Sequence, residues 1–387
     1  MRVRVIVRIV WISAFLWAVS IHTVAAQTGV RIATWNIQAV GEAGSVQYDQ
    51  ALAILNRIQP DVVALNEIAH TADVGHLEDL AADAGFAHVV VPSGGGPFGA
   101  QRNAFLSNLP VIQQTAHTAA ALGGDPNAND ISRLIVEITV APSADAKPLT
   151  LFVEHWKSGS GNDDEFRRAV ESIRIAQAAA ELSGHVNAYA ILGDVNEEID
   201  QVPRTPNPFT HLPGGLPASF RLGVDLAERL ATTGIANDPF SHLLDPNGPA
   251  ASALAALQLD GADATRPASG RRLDYILISP SLTKLNPLAE VYDSEDEGLP
   301  GGLTKFDNPP SPAASLEASD HLLVFADITV PARNDFNNDG MVNLIDLRFF
   351  AQHWLTCDCA DLFDCLGTDL DQNNRVDHND FVLFAEL

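Results

Sequence analysis

Apolar runs of strand length that end on a polar residue recur along this chain: Arg31-Ile-Ala-Thr-Trp-Asn36, Val62-Val-Ala-Leu-Asn-Glu67, Leu151-Phe-Val-Glu-His155, Ala188-Tyr-Ala-Ile-Leu-Gly-Asp194, and the related Leu273-Asp274-Tyr-Ile-Leu-Ile and Ser319-Asp320-His321-Leu-Leu-Val-Phe. Continuous apolar runs of this length fit strands buried on both faces. Further strands are predicted over Phe86 to Val91, Ala104 to Leu106, Ile131 to Val140 and Leu149 to His155, the last two as an antiparallel pair. Helical spacing alternates with them. Tyr48, Leu52, Leu55 and Ile58 share one face of a helix closed by Pro60, and Val74 to Ala84 repeats the period. Asp163 and Asp164 open a long helix with Phe166, Val170, Ile173 and Ala180 facing inward and Arg167, Arg168 and Arg174 elsewhere on its surface. Strands and helices in alternation predict an α/β domain.

Other stretches break the pattern. The loop Ser93 to Gly99 lacks the Gly-Lys-Ser/Thr of a phosphate cradle and reads as a turn between strands. Residues 201–270 are rich in Pro, Gly, Ala and Asn with little periodicity, and read as a solvated insertion; the acidic run Asp293 to Glu297 reads as a solvated loop. The first residues carry Arg2, Arg4 and Arg8, an apolar run from Ile9 to Val19, and Val24-Ala25-Ala26 before Gln27, the pattern of an export signal over 1–26. The mature chain is then expected to be secreted, extracellular, surface-associated or periplasmic, with no transmembrane segment.

The net charge of −26 becomes −29 once those three arginines are removed, since no acid precedes Gln27. A chain so acidic does not hold nucleic acid by diffuse attraction, so any phosphate must be gripped locally, through a cation. The three cysteines, Cys357, Cys359 and Cys365, allow one disulfide and leave one thiol over.

The strand-end residues suggest the chemistry. If Glu67, Asp194 and Asp320 converge, their mutual repulsion is about 4 kcal/mol per pair at a protein-like effective dielectric, which a divalent ion would offset. Asn and carboxylate oxygens suit Mg²⁺ or Mn²⁺. His155 and His321 could donate to phosphoryl oxygens or move protons, and Asp274 is typed to orient an imidazole. Together these residues point to in-line attack of water on phosphorus.

The motifs Thr34-Trp-Asn36, Asn66-Glu67-Ile, His155-Trp-Lys-Ser, Gly193-Asp194-Val-Asn196, Arg272-Leu-Asp274-Tyr-Ile and Ser319-Asp320-His321 come in the order of the endonuclease/exonuclease/phosphatase superfamily, which the chain resembles from about Val30 to Val330. The resemblance implies a four-layer α/β sandwich of two packed mixed sheets flanked by helices. It implies Glu67 as principal metal ligand with Asn36 beside it, and Asp320 at the metal or a second ion. It further implies that Asp194 orients or deprotonates the attacking water, Asn196 stabilises phosphoryl oxygens, Asp274 pairs with His321, and His155 faces the scissile phosphate. Arg102, in Arg102-Asn-Ala-Phe-Leu-Ser107, matches a family segment and is a candidate phosphate contact. Trp156 and the long insertion depart from common members.

After a linker at 331–334 the composition changes, and 335–387 reads as a separate module. Asp335, Asn337, Asp339, Met341 (by its carbonyl), Asn343 and Asp346 occupy the ligand positions of a twelve-residue calcium loop with Gly340 at its turn. Asp369, Asp371, Asn373, Arg375 (by its carbonyl), Asp377 and Asp380 repeat the spacing, with Asn374 in the glycine position. The duplicated loop and helix resembles the dockerin type I module, which implies Ca²⁺ binding and a cohesin-like or cell-surface partner chosen through Leu344-Ile345 and His378-Asn379, an unlike pair.

The leading expectation is therefore a secreted metal-dependent phosphodiester hydrolase, a nuclease, carrying a calcium module over a catalytic domain at 27–330. Two alternatives stay open: a phosphomonoesterase or sphingomyelinase-like phosphodiesterase of the same fold, and a non-catalytic, calcium-dependent surface-binding protein.

Overall fold

The computed structural model describes residues 27–69, 71–96, 101–180, 182, 187–200, 208–356, 359 and 364–386. The expected export signal, residues 201–207 of the insertion, and Cys357 lie outside them. Two compact units divide the chain: a large one of residues 29–142 and 148–329, and a small one that includes 143–147 and the C-terminal residues from Val330.

Two mixed sheets form the large unit. The seven-stranded sheet runs in the order β10 (Ala256–Leu257), β12 (Leu288–Tyr292), β13 (Leu323–Val330), β1 (Thr28–Asn36), β2 (Val62–Ile68), β4 (Arg102–Ser107) and β3 (His88–Val90). The six-stranded sheet runs β5 (Val111–His117), β6 (Ile135–Val140), β7 (Leu149–His155), β8 (Ala188–Asp194), β11 (Asp274–Ile278) and β9 (Ser252–Ala253). Every residue of β7, β8 and β11 is buried, which is why these strands read as unbroken apolar runs.

Helices flank the sheets. Outside the first, α1 (Val46–Ile58), α2 (Thr71–Asp83) and α8 (Ala314–Ala318) enclose a core around Trp35, Leu65 and Phe325. Ser45 caps α1 by accepting from the Tyr48 N–H at 3.3 Å. Outside the second sheet lies α4 (Asn162–Ala180), whose Ile175 and Ala178 pack with Phe152, Tyr189 and Tyr275. The short helices α3 (Ala119–Gly123), α5 (Val224–Thr232), α6 (Phe240–Leu243) and α7 (Pro280–Thr283) complete the unit. Among the described residues no helix is long and apolar enough to cross a membrane.

Several expectations fail around α4. Arg167, Arg168 and Arg174 are buried at 4%, 2% and 0% exposure rather than on the surface. The loops that hold Ser132, Lys157 and Glu197 cover Arg167 and Arg168, and the insertion, which is not a solvated loop over its described part, meets Arg174 through Asp225. Its Phe209, Phe220, Leu226, Leu230 and Ile235 form a core with Phe166, Ala169, Val170 and Ile173 of α4. Closed in on two sides, the polar face of α4 finds partners inside. Arg174 makes a bidentate pair with Asp130 at 2.6 and 3.0 Å and reaches Asp225 at 2.8 Å, and Arg167 donates to Ser132 Oγ at 2.8 Å. Glu171 accepts from the Ser132 and Lys157 N–H groups, both at 2.7 Å. That capture keeps residues 131–134 out of the strand, and β6 starts only at Ile135. The acidic run is not simply solvated either: Glu297 binds Arg57 at 2.7 Å and accepts from the Tyr292 hydroxyl at 2.7 Å.

The small unit has a core of Phe336, Phe350, Cys359, Leu370, Val376 and Phe384, with α9 (Leu344–Gln352) and α10 (His378–Glu386) following the two acidic loops. Phe336 and Phe384 stack at 5.9 Å, and Cys359 is disulfide-bonded to Cys365. Residues 331–334 belong to this unit: Ala332 and Asn334 are buried, and Asn334 Nδ2 donates to the Phe384 carbonyl at 3.2 Å.

Candidate active site

Strand register brings the polar strand ends together. Parallel β1 and β2 place Asn36 opposite Asn66, and parallel β7 and β8 place His155 opposite Asp194. Antiparallel β8 and β11 place Asp194 opposite Asp274. The pairing of β2 with β4 is irregular between Leu65 and Ile68, and within that break Glu67 takes a left-handed φ of 69° that re-aims its side chain. Gly193, at φ 143°, allows β8 to approach β7 where a Cβ would lie 1.9 Å from the Glu154 carbonyl oxygen.

The Asn36 amide is the hinge of the pocket. Its Nδ2 donates to Asp194 Oδ2 at 3.0 Å and to Glu67 Oε1 at 3.2 Å, linking a residue of each sheet. His155 Nε2 faces the same two carboxylates, 3.5 Å from Asp194 and 3.7 Å from Glu67. His321 Nε2 lies 3.9 Å from Asp194 Oδ2, while its Nδ1 meets Asp274 Oδ2 at 2.7 Å. Asn196, at φ 52°, donates from its backbone N–H to Asp194 Oδ1 at 2.9 Å and from Nδ2 to the Trp156 carbonyl at 3.1 Å. Seven of the eight strand-end residues singled out in the sequence thus form one connected group. Asp320 stands apart from it, its carboxylate 3.1 Å from Arg266 Nη2 with both side chains partly exposed. Arg102 opens β4 opposite Ile68, and its Nε is buried with no hydrogen-bond partner among the described residues.

Burial and charge divide the titratable groups. Burial, reinforced by Asp274, pushes Asp194 up to about 7, although His321, the Asn36 amide and the Asn196 N–H oppose the shift. Burial alone would lower His321, but the charge and hydrogen bond of Asp274, with Asp194 and Asp320, raise it to about 9. Burial, then Arg133, His321 and Lys157, hold His155 well below the ordinary histidine value. One histidine is therefore cationic and clamped at neutral pH, the other neutral.

Three supporting residues escaped the sequence reading. Asn66, inside a recognised motif, accepts from the Asp194 N–H at 2.9 Å and donates to Asn103 Oδ1 at 2.8 Å and the Glu154 carbonyl at 3.0 Å. Thr265, in the stretch read as irregular, donates to Asp274 Oδ2 at 2.6 Å and accepts from the Leu273 and Asp274 N–H groups. Arg133 donates to the Trp156 carbonyl at 3.2 Å and to Gln101 Oε1. Only tertiary register gives these positions meaning.

Asn36, Glu67 and Asp194 offer the hard oxygen donors that a divalent cation requires. Asp194, Asp274 and His321 also bring ligand atoms within 4.8 Å of one another, but Asp274 Oδ2 already serves the His321 ring and Thr265. In the small unit the two acidic loops share one internal pattern. Asp346 accepts from the Phe336, Asn337 and Asn343 N–H groups, and Asp380 from those of Asp371 and Asp377. Asp335 and Asp369 each accept at 2.8 Å from the sixth residue of the loop, Gly340 and Asn374.

A comparison with solved structures finds an endonuclease/exonuclease/phosphatase from Beutenbergia cavernae DSM 12333 at 19% identity and a TM-score of 0.51, covering 78% of this chain and 72% of that one. The human Nocturnin catalytic domain with bound sulfate anion matches at 16% identity and 0.48, covering 78% and 94%, and truncated Caenorhabditis elegans TDP2 at 14% and 0.42, covering 78% and 97%. No curated protein matches the chain by sequence. The first structure shares the two-sheet α/β sandwich. The model of the Endonuclease/Exonuclease/phosphatase family matches residues 33–321, the span that holds every residue of the pocket, and the chain belongs to that family of phosphoesterase hydrolases.

Proposed function

We propose that the chain is a secreted, divalent-metal-dependent phosphodiesterase that cleaves nucleic acid by in-line attack of water on phosphorus. The observation that supports this most is the single Asn36 amide shared between Glu67 and Asp194, which sets carboxylates of two sheets around one point. Glu67 and Asn36 would hold Mg²⁺ or Mn²⁺, which when bound neutralises the phosphoryl oxygens. Asp320, from its place beside Arg266, would serve a second ion position.

The chain's own groups supply the proton steps. Asp194, oriented by Asn36 and Asn196, takes the proton of the attacking water as its oxygen bonds to phosphorus. His321, charged and held by Asp274, gives a proton to the leaving ester oxygen as its bond to phosphorus breaks. Neutral His155, the second N–H of the Asn196 amide, and Arg102 donate to the phosphoryl oxygens. Such local contacts suit a chain of net charge −26, which has no diffuse attraction for a polyanion.

The small unit is proposed to bind two calcium ions through the loops at 335–346 and 369–380, a reading supported by their matching hydrogen-bond pattern. Export is supported by the Cys359–Cys365 disulfide. None of the comparisons supports the cohesin-like partner that the dockerin resemblance implies.

The purified chain with Mg²⁺ or Mn²⁺ is to be tested on single- and double-stranded DNA, RNA, sphingomyelin and a phosphomonoester. Cleavage of nucleic acid is expected. Turnover of the monoester or the lipid alone would move the reading to its relatives of the same fold, and inactivity on all five would overturn it.

A further inference from the structure

Arg168 lies on the polar face of α4, behind the sheet that carries His155 and Asp194, and among the described residues it hydrogen-bonds to none of the pocket's side chains. Its Nε meets Glu197 Oε2 at 2.8 Å, and its Nη1 donates at 2.9 Å to both the Lys157 and Gly159 carbonyls. The Arg168 and Glu197 side chains are 2% and 9% exposed. Glu197 directly follows Asn196 in the loop after β8, and residues 156–159 form the loop after β7. One guanidinium therefore joins the two loops that leave the paired ends of β7 and β8.

The loop after β7 is pinned at Trp156 and Lys157. The Trp156 N–H donates to the Asp194 carbonyl at 3.0 Å, and the Trp156 carbonyl accepts from Asn196 Nδ2 at 3.1 Å. The Lys157 N–H donates to Glu171 Oε2 at 2.7 Å, and its carbonyl goes to Arg168. The Asn196 amide, whose backbone sits at a left-handed φ of 52°, takes its orientation from a carbonyl one residue before the one that Arg168 holds.

Glu197 is a costly partner for a purely structural tie. Its Oε1 is buried with no hydrogen-bond partner among the described residues, and burial raises its pKa against the pull of Arg168. A buried ion pair of this kind is a weak source of stability, and its attested use is to fix one geometry among alternatives.

We propose that Arg168, acting with Glu197, is a positioning residue for phosphodiester hydrolysis: it sets the loops after β7 and β8 in register so that the Asn196 amide and His155 address the same phosphoryl oxygens. The inference rests on the hydrolase reading above. It separates from that reading because Asn36 and Glu67, proposed for the metal, lie on the other sheet, while the hydrogen bonds of Arg168 go to Glu197, Lys157 and Gly159.

The test measures kcat, KM, the Mg²⁺ half-saturation point and Tm of the full chain on bis(p-nitrophenyl) phosphate. Variants are Arg168→Gln, Arg168→Lys and the double change Arg168→Met with Glu197→Met, which removes both charges and strands neither. For the double variant kcat is expected to fall roughly 10- to 100-fold, the scale of a misplacement of about 1 Å. Its KM and Mg²⁺ half-saturation should stay within about threefold, and its melt should stay cooperative although the Lys157 and Gly159 carbonyls lose a donor. Arg168→Lys, which keeps the charge but loses the fork, should retain more kcat than Arg168→Gln. A double variant that folds and turns over at the wild-type kcat would overturn the positioning role and leave the hydrolase reading standing. An inactive wild type would overturn the hydrolase reading, and the positioning role with it.

Discussion

The pocket and the C-terminal loops both gather carboxylates, yet they are built at opposite ranges along the chain. Asn36 reaches Asp194 across 158 positions, and His321 reaches Asp274 across 47. The side chains that hold Asp194 and Asp274 come from Asn36, Thr265 and His321, which meet their carboxylates, and from Asn66, which accepts from the Asp194 N–H. In the loops, Asp346 and Asp380 are held by backbone N–H groups no more than ten positions away. A site assembled from distant strands exists only while the layers pack, so it fails when any one member or its support is lost. A cluster written in twelve consecutive residues, if it holds the proposed calcium ion, depends on that ion and fails locally.

The largest effect should come from the pocket itself. Glu67→Ala and His321→Ala are each expected to lower hydrolysis roughly 10²- to 10⁴-fold, with amide exchange in 335–346 and 369–380 unchanged. A variant of either that keeps wild-type turnover would remove that residue from the chemistry. Next comes failure from behind. Arg174→Leu strands Asp130, fully buried, without its counter-charge, which should destabilise the large unit by about 3–5 kcal/mol, read by denaturant melts. A loss under 1 kcal/mol would show that the α4 network is solvent-relaxed rather than buried. The third effect is confined to the small unit. Exchanging calcium for EGTA with Mg²⁺ retained should open the amides of both loops while β1 and β8 stay protected. Saturation at a hundredfold over Kd is worth about 2.7 kcal/mol. Protection in the loops that ignores calcium would break the contrast.

Legibility in the sequence follows the same division. The two loops are legible as local units because their acidic residues, turn residue and following helix lie within one window. The strand ends could be read because strands buried on both faces leave unbroken apolar runs that stop abruptly at Asn36, Glu67, His155 and Asp194. What could not be read is whatever one layer does to another. Periodicity found the apolar face of α4, but it assigned Arg167, Arg168 and Arg174 to solvent because nothing local shows that Phe209, Phe220 and Ile235, and the loops of Ser132, Lys157 and Glu197, will cover that helix. Those residues lie too irregularly among Pro and Gly to show a period. Thr265 and Asn66 look like ordinary turn and strand residues until register places them beside Asp274 and Asp194. The pairing of Asp320 with Arg266 is likewise a fact of the fold, not of spacing.

The smallest effect compares the two loops with each other. Their sixth positions are Gly340 at φ 85° and Asn374 at φ 68°, and both N–H groups donate to the first aspartate of their loop at 2.8 Å. An asparagine tolerates this left-handed backbone at some strain, while glycine takes it freely but loses more chain entropy on folding. The terms nearly offset, so Asn374→Gly should tighten calcium at the second loop by about 0.5 kcal/mol, roughly twofold in Kd. Gly340→Asn should weaken the first loop by a similar amount. Calorimetric titration of the two variants reads both shifts. If Asn374→Gly instead weakens binding, then the asparagine is not a strained substitute for glycine, and the second loop is shaped by Asn374 itself rather than by the turn it makes.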